Sequence, residues 1–544
     1  MEPSHFNIAA TLEQVAKKSP DLPAVRVPWQ KREISFAQLH EESSRTASGL
    51  IRLGVRPGAR FLLLVPFSIE FISLTYALFK AGAVPVLIDP GLGRQNMLRC
   101  IEETQPEGMI GIPRAHAVRK IRPRPFRSVR FAITTGKGWP WGGIPLARVN
   151  QPGGGDFSPA AIGPEDPAAI LFTSGSTGPP KGVLYTHRMF FHQVDILKST
   201  FGIQPGETDL PTFPLFGLFS TSMGMTCILP RMDPTHPARV DPRNIVQPIL
   251  DYEITNTFGS PALWDTVSRY CAGQGIQLPS LKRILMAGAP AAGTLLKRIE
   301  HILMGNAEVF TPYGATEALP VTSIGSREIL AETWERSEKG AGTCVGRPVP
   351  GIEIKIIGIN DGPIPTWEDA REQPPGKTGE IVVRGPWVTR EYFNKTEATR
   401  LAKIGQGNTL WHRMGDLGWM DDRGRLWFCG RKNQRVQTAA ETLFTIPCEA
   451  VFNRHPEVKR SALVGVGPRE QQRAFIVIEP ENSKRIRMAR DKESFTQELL
   501  DLGSRFPHTR QIKKILFHPD FPVDVRHNAK IFREKLARWA EKQS

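Results

Sequence analysis

Cysteine is scarce in this chain. Six are scattered over 544 residues, at Cys100, Cys227, Cys271, Cys344, Cys429 and Cys448, with no CxxC pair. That spacing argues against a disulfide framework or a zinc site and fits a reducing cytoplasm. Long hydrophobic runs are also missing. The most apolar stretch, Phe61 to Ile88, is broken by Pro66, Glu70 and Lys80, so no membrane span is predicted. The first residues, MEPSHFNIAATLEQ, lack the basic-then-apolar order of a secretory signal. No internal repeat or low-complexity tract is evident. Acid is in deficit, with 54 Asp and Glu against 70 Lys and Arg and a net charge of +16. A polyphosphate substrate, an anionic membrane surface or nucleic acid would each suit that charge. The absence of a nucleic-acid-binding motif leaves the last as a weak competitor.

The remaining composition, 40% hydrophobic and 23% charged, is that of an ordinary globular protein with ample core. The first half alternates helical and strand patterns. Ser35 to Leu53 has helical periodicity, followed by a strand (Arg60 to Val65), a helix (Ile69 to Ala81) and a strand (Val84 to Asp89). This order predicts an α/β fold with a parallel sheet. After about residue 340 the texture changes to short strands, as in GIEIKII and GEIVVRG. A second shift follows CGRKNQRVQ, Cys429 to Gln437, and places a boundary close to Arg431. The densest basic patch, Arg114 to Phe131, reads as a surface loop because of its prolines. A solvated face is its simplest role, with membrane or partner contact as the alternative.

One loop stands out. LFTSGSTGPPKGVLYTH, residues 171 to 187, sets Gly, Pro, Ser and Thr between two apolar strand-like runs and ends them in Lys181. Such a composition makes a flexible linker. It also makes a phosphate cradle, where backbone N–H groups, the hydroxyls of Thr173, Ser174, Ser176 and Thr177, and the Lys181 ammonium converge on an anion. The spacing does not fit the Walker A loop, which ends Gly-Lys-Ser/Thr. Four further stretches bear on the choice: GAP at Gly288 to Pro290, TPYGATE at Thr311 to Glu317, the WHRMGDLG and CGRK segments that carry Asp416 and Arg431, and PVDVRHNAKIFREKL around Lys530.

Taken together, TSGSTGPPKG, YGATE and GDLG…GRK closely resemble the adenylate-forming superfamily of acyl-CoA synthetases, luciferases and adenylation domains, over nearly the whole chain. The resemblance implies ATP and Mg²⁺ as cofactors. It implies a large α/β adenylation domain with a β-rich subdomain (residues 1–430) and a small mobile α+β domain (431–544) that carries Lys530. It assigns Thr173, Ser174, Gly175, Ser176, Thr177, Gly178 and Lys181 to the β- and γ-phosphates. Thr177 and Glu317, the latter helped by Thr316, would hold the metal. Gly288, Ala289, Pro290, Tyr313 and Gly314 would frame the adenine, Asp416 the ribose, and Arg431 the ribose or phosphate. Lys530, with Thr173 and Glu317, would be catalytic, its ammonium bridging the substrate carboxylate and the α-phosphate.

Departures from the family pattern narrow the substrate. Gly217, in TFPLFGLFS, stands where a histidine is common among CoA ligases. Asn433 replaces the usual Lys or Asp of the hinge, and a glycine common in the next segment is replaced within Thr438 to Phe444. These changes weaken the case for a CoA acceptor. The segments FTIPCEAVFNRHPEV and FPVDVRHNAKIFREKLARWA are similar to the β-lactone synthetases of bacterial olefin biosynthesis. That resemblance implies a long-chain 2-alkyl-3-hydroxy acid as substrate, with Phe213, Phe216, Gly217, Phe219 and Met223 lining its pocket. Core packing explains any one of these apolar residues equally well. A long-chain acyl-CoA or fatty acid–AMP ligase is the alternative, and a basic scaffold with a vestigial nucleotide fold is a third reading. Expected partners are the lipid acid, not nucleic acid, with peripheral membrane contact and assembly with other olefin-pathway enzymes left open.

Overall fold

The computed structural model describes residues 6–136, 142–151, 157–172, 179–482, 486, 488–523 and 531–543. They form three large sheets and, nearer the carboxyl end, a two-stranded and a three-stranded one. The first sheet runs, in spatial order, through Ile144–Pro145, Phe131–Thr134, Gly108–Gly111, Arg60–Leu64, Val84–Ile88, Pro167–Phe172 and Gly182–Thr186. All neighbours are parallel except the last pair, which is antiparallel. The β-α-β alternation expected from residues 60–89 is present: the helix Ile69–Lys80 links two of these strands and is buried on almost every face. A helix apolar all round has no solvent side, which is why this run reads as continuously hydrophobic. Ser68 starts it by accepting a hydrogen bond from the Phe71 amide.

The second sheet has the order Glu308–Phe310, Arg283–Met286, Asn256–Gly259, Thr208–Pro211, Thr226–Ile228, Pro23–Val27 and Arg32–Ser35. Its strands are parallel except the final pair. The third sheet is antiparallel and built mostly from residues after Tyr313, including the long strand Thr409–Met420 and its neighbour Leu426–Arg431. The short-strand texture seen in sequence after residue 340 corresponds to this sheet. From Val436 onwards the chain has hydrophobic clusters of its own, around Phe452, Ile476, Phe495 and Leu536, on a three-stranded sheet.

One local expectation fails. Pro113–Ile121 is an α-helix, not a loop. Pro113 occupies its first turn, where a missing N–H costs nothing, and Pro123 and Pro125 fall beyond its end. The prolines frame the helix instead of breaking it. No described helix is long and apolar enough to cross a membrane.

Candidate active site

Parallel sheets place loops at the carboxyl ends of their strands, and ligands bind in the crevices between those loops. Two adjacent parallel strands of the second sheet, Arg283–Met286 and Glu308–Phe310, release their chains at the same edge. The first leads into Gly288, Ala289 and Pro290, the second into Thr311 and Tyr313. Gly288 has φ +96°, a left-handed turn that a side chain would strain. Tyr313 and Gly314 then open the third sheet in the strand Tyr313–Ala315. The first sheet contributes Pro167–Phe172, whose end runs into residues 173–178. Thr173, Ser174, Gly175, Ser176, Thr177 and Gly178 lie outside the described residues, as does Lys530.

Asp416 links these elements. Strand register sets it opposite Arg431 in an antiparallel pair. Its carboxylate forms an ion pair of 2.7 Å with the Arg431 guanidinium and accepts a 2.6 Å hydrogen bond from the Tyr313 hydroxyl. Burial pushes the Asp416 carboxyl up, while Arg431 and Tyr313 pull it down. The Asp416 charge raises Arg431, and burial beside that carboxylate raises the Tyr313 phenol well above its usual value. A buried acceptor, a cation and an aromatic face thus lie together, the set that a nucleoside requires.

Glu317 follows in the turn between Tyr313–Ala315 and Ala318–Ser323. Its backbone carbonyl accepts from the Thr389 amide (2.9 Å) and hydroxyl (3.1 Å), and its carboxylate accepts from the Tyr392 hydroxyl at 2.6 Å. The Lys181 ammonium stands 4.7 Å from the centroid of the Tyr392 ring, a cation–π contact. Lys181, Glu317 and Tyr392 therefore form one cluster. Beneath it, buried Lys403 donates to the Thr389 carbonyl. Burial lowers Lys403 to about 7, against the pull of Glu317. His412 lies opposite Lys403 in register, and burial, aided by the Lys403 charge, holds it well below its usual range. Glu317, a half-buried carboxylate, is a donor suited to a hard divalent cation.

Next to Thr316 is an apolar cavity of about 130 Å³. Phe213, Phe216 and Phe219 line it, together with Tyr185, Phe190 and Gln193. Tyr185 donates to the Thr316 carbonyl, joining the cavity wall to the turn that carries Glu317. Gly217 and Met223 are not among its lining residues. Met223 is packed in the core cluster. At Gly217 a Cβ would come within 2.5 Å of the Phe67 ring, so that ring fills the place of any larger side chain.

Tyr392, Thr389, Lys403, His412 and Gln193 escaped the sequence reading. Lys403 and His412 are nine residues apart along the chain, and only the pairing of their strands brings them together. Tyr392 carries no signal of its own until the Gly182–Thr186 region is known to run beside it, through the bridge from Val183.

Comparison with known proteins gives the family. The chain is 44% identical to an olefin β-lactone synthetase of Xanthomonas campestris pv. campestris, over 99% of this chain and 98% of that one. It is 44% identical to an olefin β-lactone synthetase of Stenotrophomonas maltophilia, over 98% of each. The fold matches a solved Mycobacterium tuberculosis fatty acyl CoA synthetase with a TM-score of 0.74, at 23% identity and full coverage of both chains. Residues 12–393 match the model of the AMP-binding enzymes, and the chain belongs to that family.

Proposed function

We propose that this protein is an ATP-dependent, adenylate-forming β-lactone synthetase. A β-lactone is a 3-hydroxy acid less water, and a substituted β-lactone that loses CO₂ leaves an olefin. A 2-alkyl-3-hydroxy acid is therefore the substrate class. The observation that carries the reading is the end-to-end 44% identity to two olefin β-lactone synthetases.

In the first step a substrate carboxylate oxygen bonds to the α-phosphorus of ATP and pyrophosphate leaves. Two anions must meet, so cations and fixed donors decide the rate. Asp416 and Arg431 orient the ribose, Tyr313 and Ala289 flank the adenine, and Lys181 faces the phosphates. Mg²⁺, held by Glu317 and the Thr177 hydroxyl, would neutralise phosphate charge. Lys530 supplies the remaining cation from the small domain, residues 431–544. The hydrophobic clusters that begin at Val436 support that division. In the second step the substrate's own 3-hydroxyl oxygen bonds to the acyl carbon. The acyl–phosphate C–O bond breaks, AMP leaves, and the hydroxyl proton is released. Intramolecular attack offsets ring strain by proximity.

The packing of Phe67 against Gly217 supports this acceptor over CoA. Mass spectrometry of products from ATP, Mg²⁺ and a racemic 2-alkyl-3-hydroxy acid, with and without CoA, tests the reading. A β-lactone unaffected by CoA is expected. Efficient thioester formation from a plain fatty acid would replace it with the acyl-CoA ligase.

A peripheral membrane contact suits a lipid acid. On the helix Pro113–Ile121, Val118 is 44% and Ile121 74% exposed, flanked by exposed Arg114, Lys120, Arg122 and Arg127. Co-sedimentation with anionic vesicles, lost in a Val118→Ser/Ile121→Ser variant, checks it. The six buried, unpaired cysteines support a reducing, cytoplasmic setting, where a strained lactone is best passed directly to the enzyme that decarboxylates it.

A further inference from the structure

Tyr392 takes no part in either reaction step, yet it touches two of the residues that do. It is buried, and it follows the strand Gly379–Arg384 and precedes the helix Thr396–Ala402. Its backbone is pinned on two sides. The Tyr392 amide donates to the Thr399 hydroxyl at 3.0 Å. On the other side a bridge joins Tyr392 to Val183, and the Phe393 amide donates to the Gly182 carbonyl at 2.8 Å. Gly182 and Val183 directly follow Lys181, so the ring is fixed relative to the lysine's own stretch of chain. Its hydroxyl and its face meet opposite charges. The hydroxyl donates to Glu317 Oε1 at 2.6 Å, and the Lys181 ammonium lies over the ring, 4.7 Å from its centroid. Among the described residues no donor reaches Glu317 Oε2, and no ion pair joins Lys181 to Glu317.

A lysine and a carboxylate that share one neighbour attract each other. A direct pair would offset the ammonium and occupy the carboxylate, leaving neither for a ligand. Tyr392 gives each a partner of another kind. The hydrogen bond holds one carboxylate oxygen and leaves the second for a hard divalent cation, which takes oxygen ligands. The ring face attracts the ammonium without neutralising it, so its full charge stays available to phosphate. The two contacts reinforce each other, because a phenol polarised by a carboxylate carries more electron density in its ring. Burial and the Glu317 charge raise the phenol above its ordinary value, which keeps it a donor. We propose that Tyr392 is a positioning residue that keeps Glu317 and Lys181 apart, its hydroxyl aiming the carboxylate at the metal and its ring seating the ammonium for the phosphates. The proposal rests on the Mg²⁺ and ATP roles given above to those two residues.

The test compares Tyr392→Phe, which keeps the ring and loses the hydroxyl, with Tyr392→Leu, which loses both. It reads ATP binding by calorimetry, in chelator and over a series of Mg²⁺ concentrations, and so does not depend on the acid. Tyr392→Phe should raise the Mg²⁺ concentration that half-saturates the metal-dependent binding by about 5- to 20-fold, the loss of one hydrogen bond to a charged group. Its metal-free ATP affinity should stay within about twofold of wild type, because the cation–π contact survives. Tyr392→Leu should show the same Mg²⁺ shift and lose a further two- to fivefold, roughly, in metal-free ATP affinity. An unchanged Mg²⁺ requirement in Tyr392→Phe overturns the proposal. So does an equal loss of ATP affinity with and without Mg²⁺, the result of a ring that only packs. Melting curves establish that the variants fold; where Tyr392→Leu does not, Tyr392→Phe decides alone. Glu317→Gln keeps the underlying reading separate. If it raises the Mg²⁺ requirement and Tyr392→Phe does not, Glu317 remains the metal donor and only the positioning role falls. If Glu317→Gln leaves the requirement unchanged, the metal role fails and takes the proposal with it.

Discussion

The proposed nucleotide side and the proposed acyl side of the site are built on opposite principles. Around Asp416 the polar groups are paired: Arg431 at 2.7 Å, the Tyr313 hydroxyl at 2.6 Å, and Glu317 braced by Thr389 and Tyr392. The apolar side is a wall of rings, with Phe216 stacked on Phe258 at 3.5 Å. In the proposed reaction the polar side meets ATP, a ligand that never varies. The apolar side leaves its specificity to shape. Changes on the first should therefore abolish activity, and changes on the second should redirect it.

The largest effect expected is at Lys530. Lys530→Ala should lower pyrophosphate exchange by at least about 100-fold while ATP affinity stays within about threefold, because its charge acts where transition-state charge develops. Equilibrium ATP binding beside exchange kinetics checks this; retention of a tenth of the rate would remove Lys530 from catalysis. Asp416→Ala should follow, raising the KM for ATP about 10- to 100-fold and destabilising the fold by roughly 1–3 kcal/mol, since the Tyr313 hydroxyl and the partly exposed Arg431 lose their buried acceptor. Denaturant unfolding and ATP titration give the two numbers. Gly217→His must displace Phe67 and should cost about 1–3 kcal/mol by overpacking, without creating a CoA thioester product. Appearance of a thioester in that variant would collapse the contrast between the two sides.

The smallest effect concerns pH. Lys403 titrates near 7 when folded and near its ordinary 10.5 when unfolded. Between those values the unfolded chain binds the extra proton, so this residue makes stability rise with pH from about 7 upwards. Relative to Lys403→Met, the wild type should gain thermal stability between pH 7 and 9. Parallel melting curves would show Lys403 to be salt-bridged and charged throughout.

The two sides also differ in how far sequence reveals them. Strand register and turn chemistry demand particular residues at short spacings, so YGATE, GDLG and GRK could be read directly. Ring packing demands only volume. Nothing in TFPLFGLFS says that Phe67, 150 residues earlier, occupies the space beside Gly217, or that Phe219 lines the cavity and Met223 does not. The alternation over residues 60–89 gave the parallel sheet because each element is buried along its whole length. The helix at Pro113 was hidden because proline marks both a helix start and a loop. Lys403 and His412 needed a strand pairing that no local pattern encodes.

The cavity's size has a kinetic consequence. At about 130 Å³ it is smaller than the ~300 Å³ and more of typical ligand pockets. A long-chain acid then enters fully only if aromatic rings swing aside. Substrate admission then waits on ring rotation rather than on diffusion, and capture should be slow and dependent on solvent viscosity. The same reluctance works in reverse once the acid is adenylated. Rings that close over the chain exclude water while the mixed anhydride exists, and the interval needed for lactone closure is protected by the slowness of the pocket itself.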